Sequence, residues 1–267
     1  MNSTAPPPPK SVEKSAVSRA VRITRLLGHL FRGLATTWTV FPKADAATRA
    51  EHVRVWSGAL VALAGVRVRV VGEPLPEGKF VIVANHISWV DIFAINSLRA
   101  VSFVAKKELA DWPVAGRLLK NVGTLFIDRT KRRDTGRMVA ILAQHIRDGV
   151  PLAFFPEGGV SHGVGVRQFN ASLLQPAIDA DALVVPIAIT YSPLRSFDYV
   201  HRNFLQSVWA ILGANEGEVT LTLLPPQRGT DRRSLAKNLE NAIRSQIAAK
   251  AGARAPETAD HHPTVTL

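Results

Sequence analysis

Residues 80–91 read Phe-Val-Ile-Val-Ala-Asn-His-Ile-Ser-Trp-Val-Asp. The first five, Phe80–Ala84, are apolar and rich in β-branched side chains, which is typical of a buried strand, and the polar residues after them predict a turn into a helix. Ser88 is the candidate N-cap of that helix. Five positions separate His86 from Asp91, and residues at that spacing do not share one face of a helix. A contact between them therefore requires His86 to lie in the turn.

The pair formed by His86 and Asp91 has two interpretations. If the carboxylate accepts a hydrogen bond from one ring nitrogen, the other nitrogen is left as a base with a fixed tautomer. General base catalysis of this kind accelerates a reaction by about 10²–10⁴-fold. Alternatively, His86 packs within the turn and Asp91 is an ordinary acid on the helix surface. The pair alone does not decide between a catalytic site and a capped turn.

Outward from this junction, runs typical of strands alternate with runs typical of helices. The predicted strands begin at Val66, where valine and arginine alternate, and continue at 80–84, 101–105, 124–127, 152–155, 183–189 and 219–224. The predicted helices lie near 89–98, 113–121, 135–148, 171–179 and 231–250. This alternation predicts an α/β fold in which a mixed sheet is flanked by helices.

Two helices are predicted before the sheet, over Ala16–Val40 and Ala44–Ala64. The first is basic and amphipathic. Its apolar side chains fall on one side of a helical wheel: Ile23, Leu26, Leu27, Leu30, Phe31 and Leu34. Its basic side chains fall opposite: Arg19, Arg22, Arg25, His29 and Arg32. Such a helix suits the surface of an anionic membrane, and the alternative is a helix packed on the core with a solvated basic face. Residues 15–65 are thus predicted to form a membrane-association segment.

The composition limits the class of protein. With 267 residues, 46% of them hydrophobic, the chain can bury one sizeable core, and residues 1–14 and 252–267 are predicted to be disordered tails. The formal charge of +12 attracts polyanions, but no nucleic-acid-binding motif is recognisable, so no nucleic acid partner is expected. The absence of cysteine excludes disulfides, cysteine-ligated metals and a thiol nucleophile. We expect neither a cleavable signal nor a membrane span, because no apolar run reaches about 18–20 residues.

Several short motifs follow one another in a specific order. They are Asn-His-x4-Asp at 85–91, Ala-Lys-Lys-Glu-Leu at 105–109 with Pro113 and Gly116, Ile-Asp-Arg at 127–129, Phe-Pro-Glu-Gly at 155–158 and Val-Pro-Ile at 185–187. In this order they resemble the four motif blocks of the glycerolipid (lysophospholipid) acyltransferase family, of the 1-acylglycerol-3-phosphate O-acyltransferase type. The resemblance covers about residues 80–190 and implies an α/β acyltransferase domain over 66–251.

The resemblance implies a reaction and a set of site residues. A fatty acyl group would move from an acyl thioester, acyl-ACP or acyl-CoA, to the free hydroxyl of a lysolipid, first of all 1-acyl-sn-glycerol-3-phosphate, giving phosphatidic acid. His86 would be the catalytic base and Asp91 would orient it, with no cofactor, metal or acyl-enzyme. Lys106, Arg129 and the turn at Glu157–Gly158 would surround the acceptor head group. For Lys106 and Arg129, the alternative is a solvated charge in a loop.

One departure from the family pattern concerns the acceptor. The Phe-Pro-Glu-Gly motif commonly continues with threonine and arginine, whereas Gly159 and Val160 stand at those positions here. Either Arg167 supplies the missing phosphate-binding charge, or the acceptor lacks a phosphate, as lyso-ornithine lipid does. We expect an enzyme bound peripherally to the cytoplasmic face of the cell membrane, with an apolar groove beside His86. Candidate groove residues are Trp89, Phe93 and Trp112.

The sequence also contains residues that would suit two other kinds of site. Residues 159–163 match G-x-S-x-G, the nucleophile elbow of α/β-hydrolases, which would make Ser161 the nucleophile of an esterase or lipase. Pro156 to Gly158 stand between the strand and this motif, and glycines follow it, which is unfavourable for an elbow. A metal site built from His86, Asp91, His145 and His162 has little support, because no established ligand spacing is present.

Overall fold

The structure is a computed structural model that describes residues 16–112, 115–121, 123–127, 135–198, 200, 202–214 and 216–252. The helices in this part of the chain are α1 (Ala16–Thr39), α2 (Ala46–Leu63), α3 (Val90–Leu98), α4 (Ala115–Asn121), α5 (Thr135–Arg147), α6 (Gln175–Asp179), α7 (Phe204–Gly213) and α8 (Arg232–Gly252). The strands are β1 (Val66–Gly72), β2 (Phe80–Ala84), β3 (Ser102–Lys106), β4 (Leu125–Ile127), β5 (Leu152–Phe154), β6 (Leu183–Ser192) and β7 (Gly217–Leu223).

The strands form one seven-stranded sheet in the order β1-β7-β6-β2-β5-β3-β4. Neighbouring strands run parallel, except that β6 and β7 are antiparallel. Because parallel strands require long connections, helices cross over between most of them. The predicted α/β fold with a mixed sheet and two N-terminal helices is confirmed.

Helices cover both faces of the sheet, and β2 shows how the chain separates two cores. Phe80, Ile82 and Ala84 point into a core shared with α1, α2, α3 and α7. Val81 and Val83 point into the opposite core, shared with α5, α6 and α8. All five β2 side chains are buried, as expected for a strand that is covered on both faces. The strand that precedes His86 and Asp91 is therefore buried between the two cores.

Helix α1 differs from its prediction in how its faces are used. The predicted apolar side is divided, because Leu26 is buried and packs on the core whereas Leu27 and Phe31 are 61% and 75% exposed. The basic side is not fully solvated either, since Arg22 Nη1 donates to the carbonyl oxygens of Leu212 and Ala214 at 3.3 and 2.9 Å. Part of the basic face therefore anchors α1 to the end of α7.

Three local features were not predicted. Helix α7 was missed, although a capping box between Asn203 and Gln206 begins it and such a box is a signal for a helix start. The stretch predicted as one helix over 171–179 is a 3₁₀ turn followed by the short α6. The N-cap of α3 is Trp89 rather than Ser88, although the Ser88 hydroxyl oxygen accepts from the Val90 N–H at 3.4 Å. Within the described ranges, no helix has both the length and the apolar character that crossing a bilayer requires.

Candidate active site

Two loops meet at one edge of the sheet and together form the candidate site. Strands β2 and β5 are parallel neighbours, so the segments that leave their carboxyl ends emerge side by side. The segment after β2 carries His86, and the segment after β5 carries Glu157. In open α/β sheets this edge is where ligands usually bind.

His86 lies in the turn between β2 and α3 and contacts Asp91. Its Nδ1 is 2.8 Å from Asp91 Oδ2, and the same oxygen accepts hydrogen bonds from the backbone N–H groups of Ile87 at 2.7 Å and Ser88 at 2.9 Å. The Asp91 side chain is fully buried, while the His86 ring keeps 17% of its surface exposed. The ring is thus oriented from one side and open to solvent on another.

Tyr191 occupies the second oxygen of Asp91. Its hydroxyl donates to Asp91 Oδ1 at 2.5 Å, and its ring stacks on Phe197 at 4.2 Å between centroids. Burial raises the pKa of the Tyr191 phenol well above its ordinary value, and the charge of Asp91 and the hydrogen bond to it raise this pKa further. Tyr191 therefore stays protonated and donates to the carboxylate throughout the physiological pH range.

The backbone of His86 is held from the neighbouring loop. Its N–H donates to Glu157 Oε1 at 2.9 Å, and its carbonyl accepts from the Ser161 N–H at 2.7 Å and the Ser161 hydroxyl at 3.1 Å. The other Glu157 oxygen accepts from the Arg167 N–H at 3.1 Å. Burial raises the pKa of Glu157 above its ordinary value, although the two backbone hydrogen bonds act in the opposite direction.

Asn85, the residue before the histidine, joins the site to β6. Its side-chain amide donates to the Ile189 carbonyl at 3.0 Å and accepts from the Ile189 N–H at 2.7 Å. Asn85 is completely buried, so these two bonds satisfy polar groups that water cannot reach. The side chain thus continues the hydrogen-bond pattern of the sheet past the end of β2.

An aromatic side chain packs against His86. The His86 ring stacks on Phe155 with 4.1 Å between centroids, and Phe155 stacks in turn on Phe103. A second aromatic cluster begins three residues after His86. The predicted groove residues Trp89, Phe93 and Trp112 belong to it, because Trp89 contacts Phe93, and both tryptophans contact Phe204 of α7 in edge-on geometry.

The residues predicted to surround the acceptor head group lie in separate segments of the chain. Lys106 ends β3, whose carboxyl end lies on the same edge of the sheet as the carboxyl end of its parallel neighbour β5. Arg129 lies outside the described residues. Gly158 has a φ of 72°, a left-handed conformation that favours glycine. These observations place the backbone at Lys106 and Gly158 on the site edge but assign neither residue a ligand.

Arg167 folds back over the turn where the family pattern is broken. Its Nη1 lies 3.5 Å from the Val160 carbonyl oxygen, and a Cβ atom added to Gly159 would stand 3.2 Å from the same nitrogen. The small residue at 159 therefore leaves room for the guanidinium. The backbone N–H groups of Arg167 and His86 donate to the two different oxygens of the buried Glu157 carboxylate. The structure therefore brings the backbones of Arg167 and His86 close to the same side chain.

The residues of the rival sites have other roles. Ser161 is buried in a loop, and no strand leads directly into it or helix directly out of it, so the sharp elbow of a hydrolase is not formed around it. His162 pairs with Asp198 at 3.2 Å, whereas His145 lies on α5 at the far side of the sheet, in a helix that packs on the opposite core. Among the described residues, no group of three or more histidine, aspartate and glutamate side chains could hold a metal ion.

The chain is similar in sequence and fold to known acyltransferases. A sequence model of the family described as Acyltransferase matches residues 67–190. The chain is 33% identical over 207 residues to a 1-acyl-sn-glycerol-3-phosphate acyltransferase of Neisseria gonorrhoeae, covering 73% of this chain and 80% of that protein. It is 34% identical over 240 residues to a lyso-ornithine lipid O-acyltransferase of Pseudomonas aeruginosa, covering 84% and 91%. The crystal structure of the 1-acyl-sn-glycerophosphate acyltransferase from Thermotoga maritima shares the fold, with a TM-score of 0.67, 19% identity, and 89% and 99% of the two chains covered.

Proposed function

The chain belongs to the acyltransferase family, and from that membership we propose that it transfers a fatty acyl group from an acyl thioester to the free hydroxyl of a lysolipid. The observation that carries this proposal is the contact of His86 Nδ1 with the buried Asp91 carboxylate. The contact leaves Nε2 of a partly exposed ring available to a hydroxyl group. The motif order that resembled this family and the similarity to acyltransferases of two lysolipids both support it.

The tautomer of His86 follows from the donors around Asp91. Asp91 Oδ2 already accepts from two backbone N–H groups, which can only donate, and an ionised carboxylate has only acceptor sites. Nδ1 must therefore carry the hydrogen in this contact, and the lone pair of the neutral ring is on Nε2. A base of this kind is competent to take a proton from an acceptor hydroxyl.

The transfer then proceeds through a balanced sequence of bond changes. Nε2 of His86 takes the proton as the acceptor oxygen attacks the thioester carbonyl carbon, and the Asp91 carboxylate stabilises the imidazolium that forms. The tetrahedral intermediate collapses with cleavage of the carbon–sulfur bond. The departing thiolate takes the proton from Nε2, which restores the neutral ring. Placing the base in this way contributes about 10²–10⁴-fold to the rate.

Two residues have supporting roles in this mechanism. Tyr191, by donating to Asp91 Oδ1, fixes the carboxylate plane that orients His86. Glu157 was expected to contact the acceptor head group, but both its oxygens accept backbone N–H groups in the interior. We therefore assign Glu157 to holding the His86 backbone, and only the adjacent Gly158 to the head group.

The head-group site is proposed to centre on Arg167, with Lys106 and Arg129 as further cations. The guanidinium lies across the turn at Gly159 and Val160 and can form paired hydrogen bonds to an oxyanion. Two acceptors satisfy this requirement. The phosphate of 1-acyl-sn-glycerol-3-phosphate is the first. The carboxylate of an ornithine head group is the second, favoured by the absence of the usual threonine and arginine and by the long match to a lyso-ornithine lipid acyltransferase.

Attachment to the membrane is proposed to be peripheral, on the cytoplasmic face, where acyl-ACP or acyl-CoA is available. The exposed side chains of Leu27, Phe31 and Trp38 form a stripe along α1. Its neighbours Arg25 and Arg32 are also exposed and suit anionic lipid head groups. The aromatic cluster around Trp89 is the proposed lining of the acyl groove, where each buried CH₂ of the chain contributes about 0.8 kcal/mol.

The catalytic assignment is tested by replacing, one at a time, two histidines that each contact an aspartate. We expect His86→Ala to abolish transfer of a labelled acyl group to a lysolipid, while His162→Ala, which removes the partner of Asp198, retains it. Both variants should fold and bind vesicles like the wild type. Full activity of His86→Ala, or equal loss in both variants, would contradict the assignment.

The acceptor is tested with labelled acyl thioester and a panel of lysolipids. Replacement of Arg167 by alanine should raise KM for the acceptor by about tenfold or more, because a charge-assisted hydrogen bond contributes about 1.5–3 kcal/mol, and should change kcat little. Arg137→Ala on α5, also exposed, is the matched control. Product from lysophosphatidate alone supports the first acceptor, and product from lyso-ornithine lipid alone supports the second.

A further inference from the structure

Helix α7 exposes an unusual amount of apolar surface. Leu205 and Trp209, one turn apart, are 75% and 55% exposed, and Phe204 is 39% exposed. The helix contains no charged residue. A soluble helix of ten residues ordinarily turns such side chains towards the core, whereas here the core-facing positions are already filled by Ile211 and Leu212. Packing of α7 on the core therefore does not account for the exposed Leu205 and Trp209.

The exposed apolar side chains of the protein are not evenly distributed. Among the side chains that the structure describes, every exposed leucine, phenylalanine and tryptophan lies on α1, on α7 or at Trp112, and the other exposed large apolar side chains are valine or isoleucine. The residues are Leu27, Phe31, Trp38, Trp112, Phe204, Leu205 and Trp209. Concentration of large apolar side chains on one part of a surface marks a site of interaction with a membrane or a protein.

Arginines of α1 hold α7 beside it. Arg22 donates to the carbonyls of Leu212 and Ala214 at the end of α7, where a cation is favoured by the helix dipole. The Arg19 guanidinium lies 5.2 Å from the centre of the Trp209 ring and packs where Gly213 has no side chain. Arginine side chains of α1 therefore contact the second half of α7, which places cations beside Trp209.

We propose that α7 is a second membrane-contacting element, which lies in the interfacial region of the bilayer next to α1. The inference rests on the proposed function, since the lysolipid must reach His86 from a membrane. The occupant of this surface is a lipid bilayer and not a protein, because arginines and the absence of acidic residues on both helices match anionic head groups. Leucine and tryptophan are also the side chains that favour the membrane interface.

Helix α7 begins beside the aromatic cluster around Trp89, so its contact with a membrane would bear on how the substrate enters. Phe204, its first residue, touches both Trp89 and Trp112, and Trp89 stands three positions after His86. A bilayer against Leu205 and Trp209 would therefore meet the protein next to the aromatic cluster formed by Phe204, Trp89 and Trp112. On this proposal, the acyl chain of a lysolipid enters the protein along this cluster.

Leu205→Glu tests this surface without disturbing the fold. Leu205 is the second residue of α7, where a negative charge is favourable to a helix, so the variant should fold. Gln206→Glu is the matched control, because it places the same charge on the next residue and preserves the capping box with Asn203. Ile141→Glu, on the remote helix α5, controls for loss of an exposed apolar side chain elsewhere.

Binding is measured by sedimentation with vesicles of equal parts phosphatidylethanolamine and phosphatidylglycerol. We expect Leu205→Glu to bind about tenfold more weakly than Gln206→Glu, as loss of one buried leucine implies, and Ile141→Glu to bind like the wild type. Acyl transfer to a lysolipid within the vesicle should fall in parallel. Transfer to a short-chain lysolipid in free solution should be unchanged.

Other outcomes overturn the proposal. Equal vesicle binding by Leu205→Glu and Gln206→Glu would show that α7 does not touch the bilayer. Loss of activity on the soluble lysolipid would place Leu205 in the site rather than on the membrane. If Leu205→Glu instead converts a dimer to a monomer at unchanged vesicle binding, a second copy covers α7. An absence of acyl transfer by the wild type on every lysolipid would refute the proposed function, while the vesicle comparison would still decide the role of α7.

Discussion

Replacement of Asp91 by asparagine separates the charge of this residue from its hydrogen bonds. An amide can present its oxygen to the three donors that now converge on Asp91 Oδ2, namely Nδ1 of His86 and the backbone N–H groups of Ile87 and Ser88. Its NH₂ group would then face the Tyr191 oxygen, which has lone pairs to accept it. The turn should therefore persist in Asp91→Asn, and the main change is the loss of the negative charge beside the ring.

The size of the expected effect follows from the ion pair that forms during transfer. With the charges of the imidazolium and the carboxylate about 4 Å apart and an effective dielectric constant of about 20, their attraction is about 4 kcal/mol. Since about 1.36 kcal/mol corresponds to a factor of ten in rate, kcat of Asp91→Asn should fall by about 10³-fold. Its free energy of unfolding should fall by only about 1 kcal/mol, because the Tyr191 hydroxyl loses its acceptor.

Asp91→Ala provides the structural comparison. This variant leaves the buried N–H groups of Ile87 and Ser88 without an acceptor, at a cost of about 1–3 kcal/mol each. Steady-state transfer of a labelled acyl group gives kcat, and urea denaturation gives the free energy of unfolding. If Asp91→Asn retains activity within tenfold of the wild type, or loses as much stability as Asp91→Ala, the assignment of Asp91 as the charge that stabilises His86 is refuted.

Three further substitutions test the groups that hold this pair. Tyr191→Phe keeps the aromatic ring but leaves Asp91 with one donor fewer, so kcat should fall by about tenfold while KM is unchanged; an unaltered kcat would remove Tyr191 from the mechanism. For Glu157 the folded protein holds its proton more tightly than the unfolded chain, because burial raises its pKa above 4.5. The stability that the raised pKa contributes is present at low pH and is lost as pH rises through that pKa. Urea denaturation across that range should therefore show a free energy of unfolding that falls with pH. In Glu157→Gln the free energy of unfolding should fall less steeply with pH. Asn85→Ala should lower the free energy of unfolding by about 2–4 kcal/mol, because both polar groups of buried Ile189 lose their partner; a loss under about 1 kcal/mol would mean that water replaces the amide.

The sequence predicted the central strands β2 and β5 well because they are buried on both faces. The run at 80–84 is apolar throughout, and such runs between turn residues are typical of central strands in parallel sheets. Helix α7 was missed because its apolar residues occur on several sides of a short helix, which conceals the helical period. The position of α7 also depends on contacts with Arg22 of α1, almost two hundred positions earlier in the chain.

The candidate site was predicted where its residues are close in sequence and missed where they are distant. The turn that brings His86 to Asp91 could be inferred from five positions of spacing. Tyr191 could not, since a tyrosine at the end of an apolar strand has the same appearance whether it packs or donates. Glu157 was expected at the head group, because a sequence does not show which way a carboxylate points; in the structure it faces the backbone.

The hydrogen bonds around His86 have a consequence for the time at which the enzyme becomes active during synthesis. The backbone of His86 is held by residues 71 and 75 positions later, and Asp91 and Asn85 by residues 100 and 104 positions later. A nascent chain that has left the ribosome as far as β5 already contains His86 and Asp91, yet it lacks the strand that carries Tyr191, the donor to Asp91. If Asp91 orients the base as proposed, the chain acquires activity only after β6 has emerged, when the sheet is nearly complete.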